Sequence, residues 1–188
     1  MRHLILGGAR SGKSAFAERL AQQSALEVCV LVTARARDEE MQARIARHRQ
    51  LRPSGWQVIE APDRLAEALR DTAHAARFVI VDCLTLWQSQ AMFAGWDAPD
   101  ATATPPASEG ERIWARERGA LLDCLPSLPG EVVLVSNEVG LGIVPASPET
   151  RRFRDEAGRL HMALAAACER VSFIAAGLPL SLKAPAAA

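Results

Sequence analysis

The sequence predicts a three-layer α/β fold with a mostly parallel central sheet and an antiparallel C-terminal edge strand. Three observations lead there. Short apolar runs alternate with longer amphipathic stretches, which is the pattern of strands joined by crossover helices. Several runs are apolar at every position, as in Phe78-Val79-Ile80-Val81 and Val132-Val133-Leu134-Val135. Strands of that kind must be covered on both faces. The last run, Leu178 to Leu182, follows Gly177 too closely for a crossover helix to fit. It therefore returns antiparallel at an edge.

Taken in order, the first strand spans His3 to Gly7, and a glycine-rich turn leads into a helix over Lys13 to Gln23. Phe16, Leu20 and Ala21 share one face of that helix. Further strands are expected at Val28 to Thr33, Trp56 to Glu60, Phe78 to Asp82, Val132 to Ser136 and Val171 to Ala176. Helices are expected at Asp38 to Leu51, Asp63 to Ala76, Leu84 to Phe93, Glu109 to Leu125 and Glu149 to Glu169. The stretch Gly95 to Gly110 carries three prolines and no periodicity, so it reads as a long loop, either a lid or a disordered insertion. Residues 184–188 read as a frayed tail.

The 188 residues suit one domain over 1–188. Lys+Arg 22 and Asp+Glu 22 cancel, which argues against a nucleic-acid partner held by a long-range basic field. Cys29, Cys83, Cys124 and Cys168 form no C-x-x-C pair and lie in or beside apolar segments; they read as buried, reduced thiols. No apolar run approaches the ~18 residues of a membrane span. The first apolar run is only three residues long, unlike a signal peptide. A cytoplasmic location is expected.

Gly7-Gly8-Ala9-Arg10-Ser11-Gly12-Lys13-Ser14 fits G-x-x-x-x-G-K-[ST], between an apolar strand and an amphipathic helix. That context makes it a phosphate-binding loop and the fold a RecA-like P-loop NTPase. Glycines let backbone N–H groups close around phosphate oxygens, and the helix start adds its positive end. Lys13 would reach the β- and γ-phosphates, and the Ser14 hydroxyl would ligate Mg²⁺. Asp82, at the carboxyl end of a buried strand, could hold the same Mg²⁺ or merely cap the next helix.

Two further segments carry polar chemistry. From Asp38 to Pro53, acidic residues open the stretch, and Arg44, Arg47, Arg49 and Arg52 surround His48. A solvated helix would have this polarity, complementing the macrodipole. A polyphosphate site would also use it, with the positive charge keeping His48 neutral and nucleophilic. Ser136 to Pro145 leaves a buried strand with two glycines and brings Asn137 and Glu138 to the same edge, as site residues or as a structural turn. Arg151, Arg152 and Arg154, which follow, could contact phosphate or be solvated, and solvation is the favoured reading.

Together these pieces resemble the bifunctional adenosylcobinamide kinase/adenosylcobinamide-phosphate guanylyltransferases of cobalamin assembly. The resemblance rests on Gly7 to Ser14, Arg44-Ile45-x-x-His48 with Arg52-Pro53, Val81-Asp82-Cys83-Leu84-Thr85, Ser136 to Pro145, and Phe153-Arg154-Asp155-x-x-Gly158-Arg159. It runs from the first strand to Lys183. It implies that a hydroxyl of adenosylcobinamide takes the γ-phosphoryl group of ATP or GTP. The product then takes GMP from GTP through a GMP-histidine intermediate, releasing pyrophosphate. His48 matches the histidine; where some members have a second histidine, this chain has Arg47. The resemblance also implies guanine-nucleotide contacts from Val32, Thr33 and Ala34, from Arg49, Gln50, Leu51 and Arg52, and from Glu60 and Asp82, and a homo-oligomer, a trimer. Guanine preference comes from the resemblance alone, since no N-K-x-D stretch is present. Two other readings fit the loop: a simple small-molecule kinase with no covalent histidine, and a RecA-like nucleic-acid ATPase module.

Overall fold

The computed structural model of the chain describes residues 1–34, 52–60, 64–94 and 107–185. The expected helix Asp38 to Leu51 lies outside these residues, with His48, Arg49, Gln50 and Leu51. Most of the expected loop Gly95 to Gly110 does too.

Among the described residues, seven strands form one sheet: β1 Arg2–Gly7, β2 Glu27–Val32, β3 Gln57–Glu60, β4 Arg77–Asp82, β5 Glu131–Asn137, β6 Arg170–Ala175 and β7 Leu178–Lys183. Their spatial order is β3-β2-β4-β5-β1-β6-β7. Every pairing is parallel except β6 with β7, as the short link at Gly177 requires. The helices are α1 Lys13–Gln23, α2 Leu65–Thr72, α3 Leu84–Met92, α4 Ala107–Cys124 and α5 Pro148–Ala167.

Side-chain alternation sorts the strands between two apolar layers. Leu4, Leu6, Val79, Val81, Val132 and Leu134 pack with Leu65, Trp87, Trp114, Leu160 and Leu164 of α2 to α5. Ile5, Val30, Ile80, Val133 and Val135 pack with Ala17 and Ala21 of α1 on the other face. The all-apolar runs are thus buried on both sides. Trp87 and Trp114, with ring centroids 5.3 Å apart and edge to face, join α3 to α4. The four cysteines are free and buried, as read from sequence. With β5 inserted between β1 and β4, the architecture is that of a RecA-like three-layer P-loop NTPase.

Two boundaries differ from expectation. The long loop was expected to run to Gly110, but α4 begins at Ala107. Gly110 is no breaker: a Cβ there would collide with the Met92 carbonyl, so glycine permits α4 to pass against the end of α3. The helix expected to reach Ala76 stops at Thr72, where Ala73 turns extended. Arg77 N then donates to His74 O at 2.9 Å, a tight turn that feeds β4.

Candidate functional site

The register puts the ends of five parallel strands on one edge. Gly7 pairs with Asn137, Val135 with Asp82, Asp82 with Val32, and Val32 with Glu60. In α/β sheets this carboxyl edge is where ligands bind. A cavity of about 360 Å³ opens there, lined by Ala9 to Ser14 of the glycine loop, Asp82 at the end of β4, Cys83 after it, and Val135 and Asn137 of β5. Its size suits a nucleotide's phosphates or another small ligand.

The loop's shape follows from its glycines. Gly12 has φ 98° and forms the N-cap of α1, with no side chain capping the helix. The first-turn N–H groups are thereby left to a ligand. Gly7 has no room for a Cβ, which would meet the Ile174 carbonyl. From beneath, the β6–β7 turn braces the loop: Gly177 N donates to Ser11 O at 2.8 Å, and a Cβ on Gly12 would lie 3.1 Å from Gly177 Cα. Lys13 is buried, and its ammonium donates to Gly8 O at 2.5 Å and to Ser11 Oγ at 3.5 Å. That holds a positive charge inside the loop.

Asp82 and Ser14 share this cavity. A hydroxyl and a carboxylate are hard oxygen donors, and they fit Mg²⁺ when phosphate oxygens and waters complete its octahedron. Among the described residues no cluster of three or more His, Cys, Asp and Glu exists, and a phosphate-bound Mg²⁺ needs none. Arg52 Nη2 lies 3.7 Å from Asp82 Oδ2, and Arg52 Nε donates to Glu18 Oε1 of α1 at 3.2 Å. The Arg52 side chain is 6% exposed. It ties the C-terminal end of the arginine-dense stretch to the cavity rim.

The other expected contacts sort differently. Val32 and Thr33 are buried at the end of β2, whereas Glu60 ends β3 exposed. The Thr33 hydroxyl donates to Cys83 O at 2.7 Å and accepts from Cys83 N at 3.0 Å. Its side chain fastens β2 to β4. Of Val32, Thr33 and Ala34, only Ala34 is partly open.

Beyond Asn137 the chain runs to Ser147 as a loop whose Leu141, Ile143 and Val144 side chains are exposed. Arg151 and Arg154 were expected to be solvated; both are half-buried, and their guanidinium groups also bind the loop. Arg151 Nη1 donates to Pro145 O at 2.9 Å and Ala146 O at 2.6 Å. Arg154 Nη1 donates to Gly142 O at 3.4 Å and Ile143 O at 3.2 Å. A loop without a ladder leaves carbonyls unpaired, and guanidinium forks satisfy them. Arg152 instead pairs with Glu111 at 2.6 Å.

One group escaped the sequence reading. His161, on the buried face of α5, has Nε2 2.8 Å from Ser136 Oγ. Ser136 Oγ lies 3.3 Å from Thr85 Oγ1, which also accepts from Asn137 N at 2.7 Å. The other ring nitrogen, Nδ1, is 3.6 Å from Glu138 Oε2. Burial lowers the His161 pKa, and the Glu138 carboxylate opposes that shift only in part. A histidine on an otherwise apolar helix stripe gives no local signal of such a role.

Sequence comparison agrees with the geometry. The family described as cobinamide kinase/cobinamide phosphate guanyltransferase matches residues 3–182. The bifunctional adenosylcobalamin biosynthesis protein CobP of Pseudomonas aeruginosa is 51% identical over 97% of this chain and 98% of its own length. CobU of Escherichia coli, of the same description, is 37% identical over 96% of this chain and 98% of its own. Among solved structures, the RadB recombinase aligns with 92% of this chain and 73% of its own at 17% identity and a TM-score of 0.49. A phosphate loop, an acidic strand end and a polar β5 terminus meet in one cavity within a chain so closely related to these two proteins, and this chain belongs to the cobinamide kinase/cobinamide phosphate guanyltransferase family.

Proposed function

We propose that this chain carries out both reactions of its family on one triphosphate pocket. In the first, the hydroxyl of adenosylcobinamide attacks the γ-phosphorus of ATP or GTP. The bond to the β-bridging oxygen breaks, the nucleoside diphosphate leaves, and the hydroxyl proton passes to solvent or a basic group. In the second, a His48 nitrogen attacks the α-phosphorus of GTP and pyrophosphate leaves. The phosphate of adenosylcobinamide phosphate then displaces the imidazole, giving adenosylcobinamide-GDP.

The observation that carries this reading is the 360 Å³ cavity, in which the glycine loop, Lys13, Ser14, Asp82 and Asn137 converge. Lys13 and the backbone N–H groups stabilise charge developing on the phosphates, the largest contribution such sites make. Ser14 and Asp82 would hold Mg²⁺, which when bound neutralises the phosphate oxygens. Imidazole is both a good nucleophile toward phosphorus and a good leaving group from it. Support for His48 comes from a near neighbour: Arg52, four residues further along the sequence, sits against Asp82. Val32, Ala34, Arg49 to Arg52 and Glu60 would line the guanosine end. We also infer a cytoplasmic homo-oligomer, a trimer; the exposed row Leu178, Leu180 and Leu182 on the edge strand β7 favours association.

α-Labelled GTP with Mg²⁺ should leave acid-labile label on the protein, while His48→Ala takes up none and still transfers the γ-phosphoryl group. Equal labelling of the variant removes the histidine intermediate. Phosphoryl transfer without any labelling of the wild type reduces the chain to a kinase.

A further inference from the structure

His161 does more than fill space beneath β5. Strand alternation places Ser136 on the same sheet face as Leu134, which packs with Leu160 and Leu164 of α5. Asn137 falls on the opposite face, with Val135, and lines the phosphate cavity. Ser136 and Glu138 thus flank Asn137, and His161 approaches both: Nε2 at 2.8 Å from Ser136 Oγ, Nδ1 at 3.6 Å from Glu138 Oε2. Glu138 is fixed at the root of its loop. Its N–H donates to Gly7 O at 2.9 Å, and its Oε1 accepts from Gly140 N. Thr85 completes the arrangement by accepting from Asn137 N.

The hydrogen positions follow one direction. Thr85 Oγ1 accepts the Asn137 N–H and donates its own proton to Ser136; Ser136 donates to His161 Nε2; Nδ1–H then points at Glu138. At 3.6 Å the last link exceeds hydrogen-bond length, and Nδ1 is buried with no hydrogen-bond partner. A buried donor left unpaired in this way is costly. A shift of Glu138 by under about 1 Å would form it, and apo sites commonly hold such bonds long until a ligand tightens them.

We propose that His161 is a positioning residue: through Ser136 and Glu138 it clamps both neighbours of Asn137 and so holds the Asn137 side chain against the phosphates. The inference rests on the phosphoryl-transfer reading above. The molecule supplies its own control. His3 forms a second buried pair, Nε2 to Ser172 Oγ at 2.9 Å, but near the start of β1, at the opposite edge from the cavity. A histidine that only satisfies a buried serine should behave like His3.

The experiment compares His161→Phe, His161→Gln, Ser136→Ala and His3→Gln with the wild type, measuring kcat and KM for γ-phosphoryl transfer and stability in urea. His161→Phe should lower kcat about 10–100-fold, the scale of a 1 Å misplacement near the chemistry, with KM for the triphosphate changed less than about threefold. His161→Gln, whose amide can still meet Ser136, should recover part of the loss. Ser136→Ala should lower kcat too, and its effect should not add to that of His161→Phe. His3→Gln should lose stability and keep kcat within about twofold. A folded His161→Phe with wild-type kcat overturns the proposal, and so does His3→Gln losing as much activity as His161→Phe. Should His161→Phe fail to fold, Ser136→Ala decides alone, an unchanged kcat being fatal. A wild-type chain that transfers no phosphoryl group at all overturns the functional reading instead.

Discussion

Two loops leave adjacent parallel strands at the same sheet edge, and they are held by different means. Gly7 to Ser14 follows β1 and is fixed largely by backbone: Gly177 N donates to Ser11 O, Gly7 meets the Ile174 carbonyl where no Cβ fits, and a Cβ on Gly12 would crowd Gly177 Cα, while the Lys13 side chain is bonded within it to Gly8 O. Asn137 to Ser147 follows β5 and is fixed by side chains: Arg151 and Arg154 on its carbonyls, Glu138 and His161 at its root. Main-chain bracing leaves one geometry. Side-chain bracing can be released and remade, and the loop it holds exposes Leu141, Ile143 and Val144. The first loop is therefore the rigid one of the pair and the second the adjustable one.

The sharpest way to break the comparison is Gly7→Ala. The added methyl meets the Ile174 carbonyl and Ser11 Oγ, and backbone cannot yield cheaply. Triphosphate affinity should fall more than about 100-fold, with roughly 2–4 kcal/mol lost in urea unfolding. An affinity near that of the wild type would mean the first loop is as adaptable as the second. Next comes the double variant Arg151→Ala/Arg154→Ala. Stability should drop by only about 1–2 kcal/mol. KM for the cobinamide substrate should rise about tenfold while triphosphate affinity holds, as titration calorimetry would show. Equal losses for both substrates would erase the distinction.

The smallest effect concerns the two buried histidines. Burial, reinforced by Arg170, lowers the His3 pKa from 6.5 to about 4, and burial lowers that of His161 as well. Below pH 6.5 the unfolded chain binds protons that the folded chain refuses. Stability therefore falls as pH drops from about 6.5, and the His3 share stops growing near pH 4. Between pH 7 and 5 the loss should be roughly 1–2 kcal/mol, read from urea midpoints. His3→Gln should remove much of it. A flat profile would mean neither ring is neutral in the fold.

The first loop was legible in the sequence because its requirements are local. Glycine, lysine and serine at fixed spacing between a strand and a helix state the geometry outright, and α1 spans the expected Lys13 to Gln23. The all-apolar strands were legible because two-sided burial leaves no polar positions. The second loop was only half legible. Asn137 follows from the strand end, but Arg151 and Arg154 read as solvated because a sequence displays charges without displaying which carbonyls need donors. His161 could not be read at all: its partner Ser136 is 25 residues away, and only the packing of α5 on β5 brings them together. Thr33 shows the converse, a polar residue at the right edge whose hydroxyl is engaged by Cys83. His48 and the residues beside it lie outside the described part of the chain.

The brace beneath the glycine loop has a consequence for synthesis. Synthesis makes the loop before the β6–β7 hairpin, yet the amide that steadies Ser11 belongs to Gly177, in that hairpin. A nascent chain should therefore acquire tight nucleotide affinity late and abruptly, when that hairpin docks. Clipping β7 should disarm a binding motif it does not itself contain.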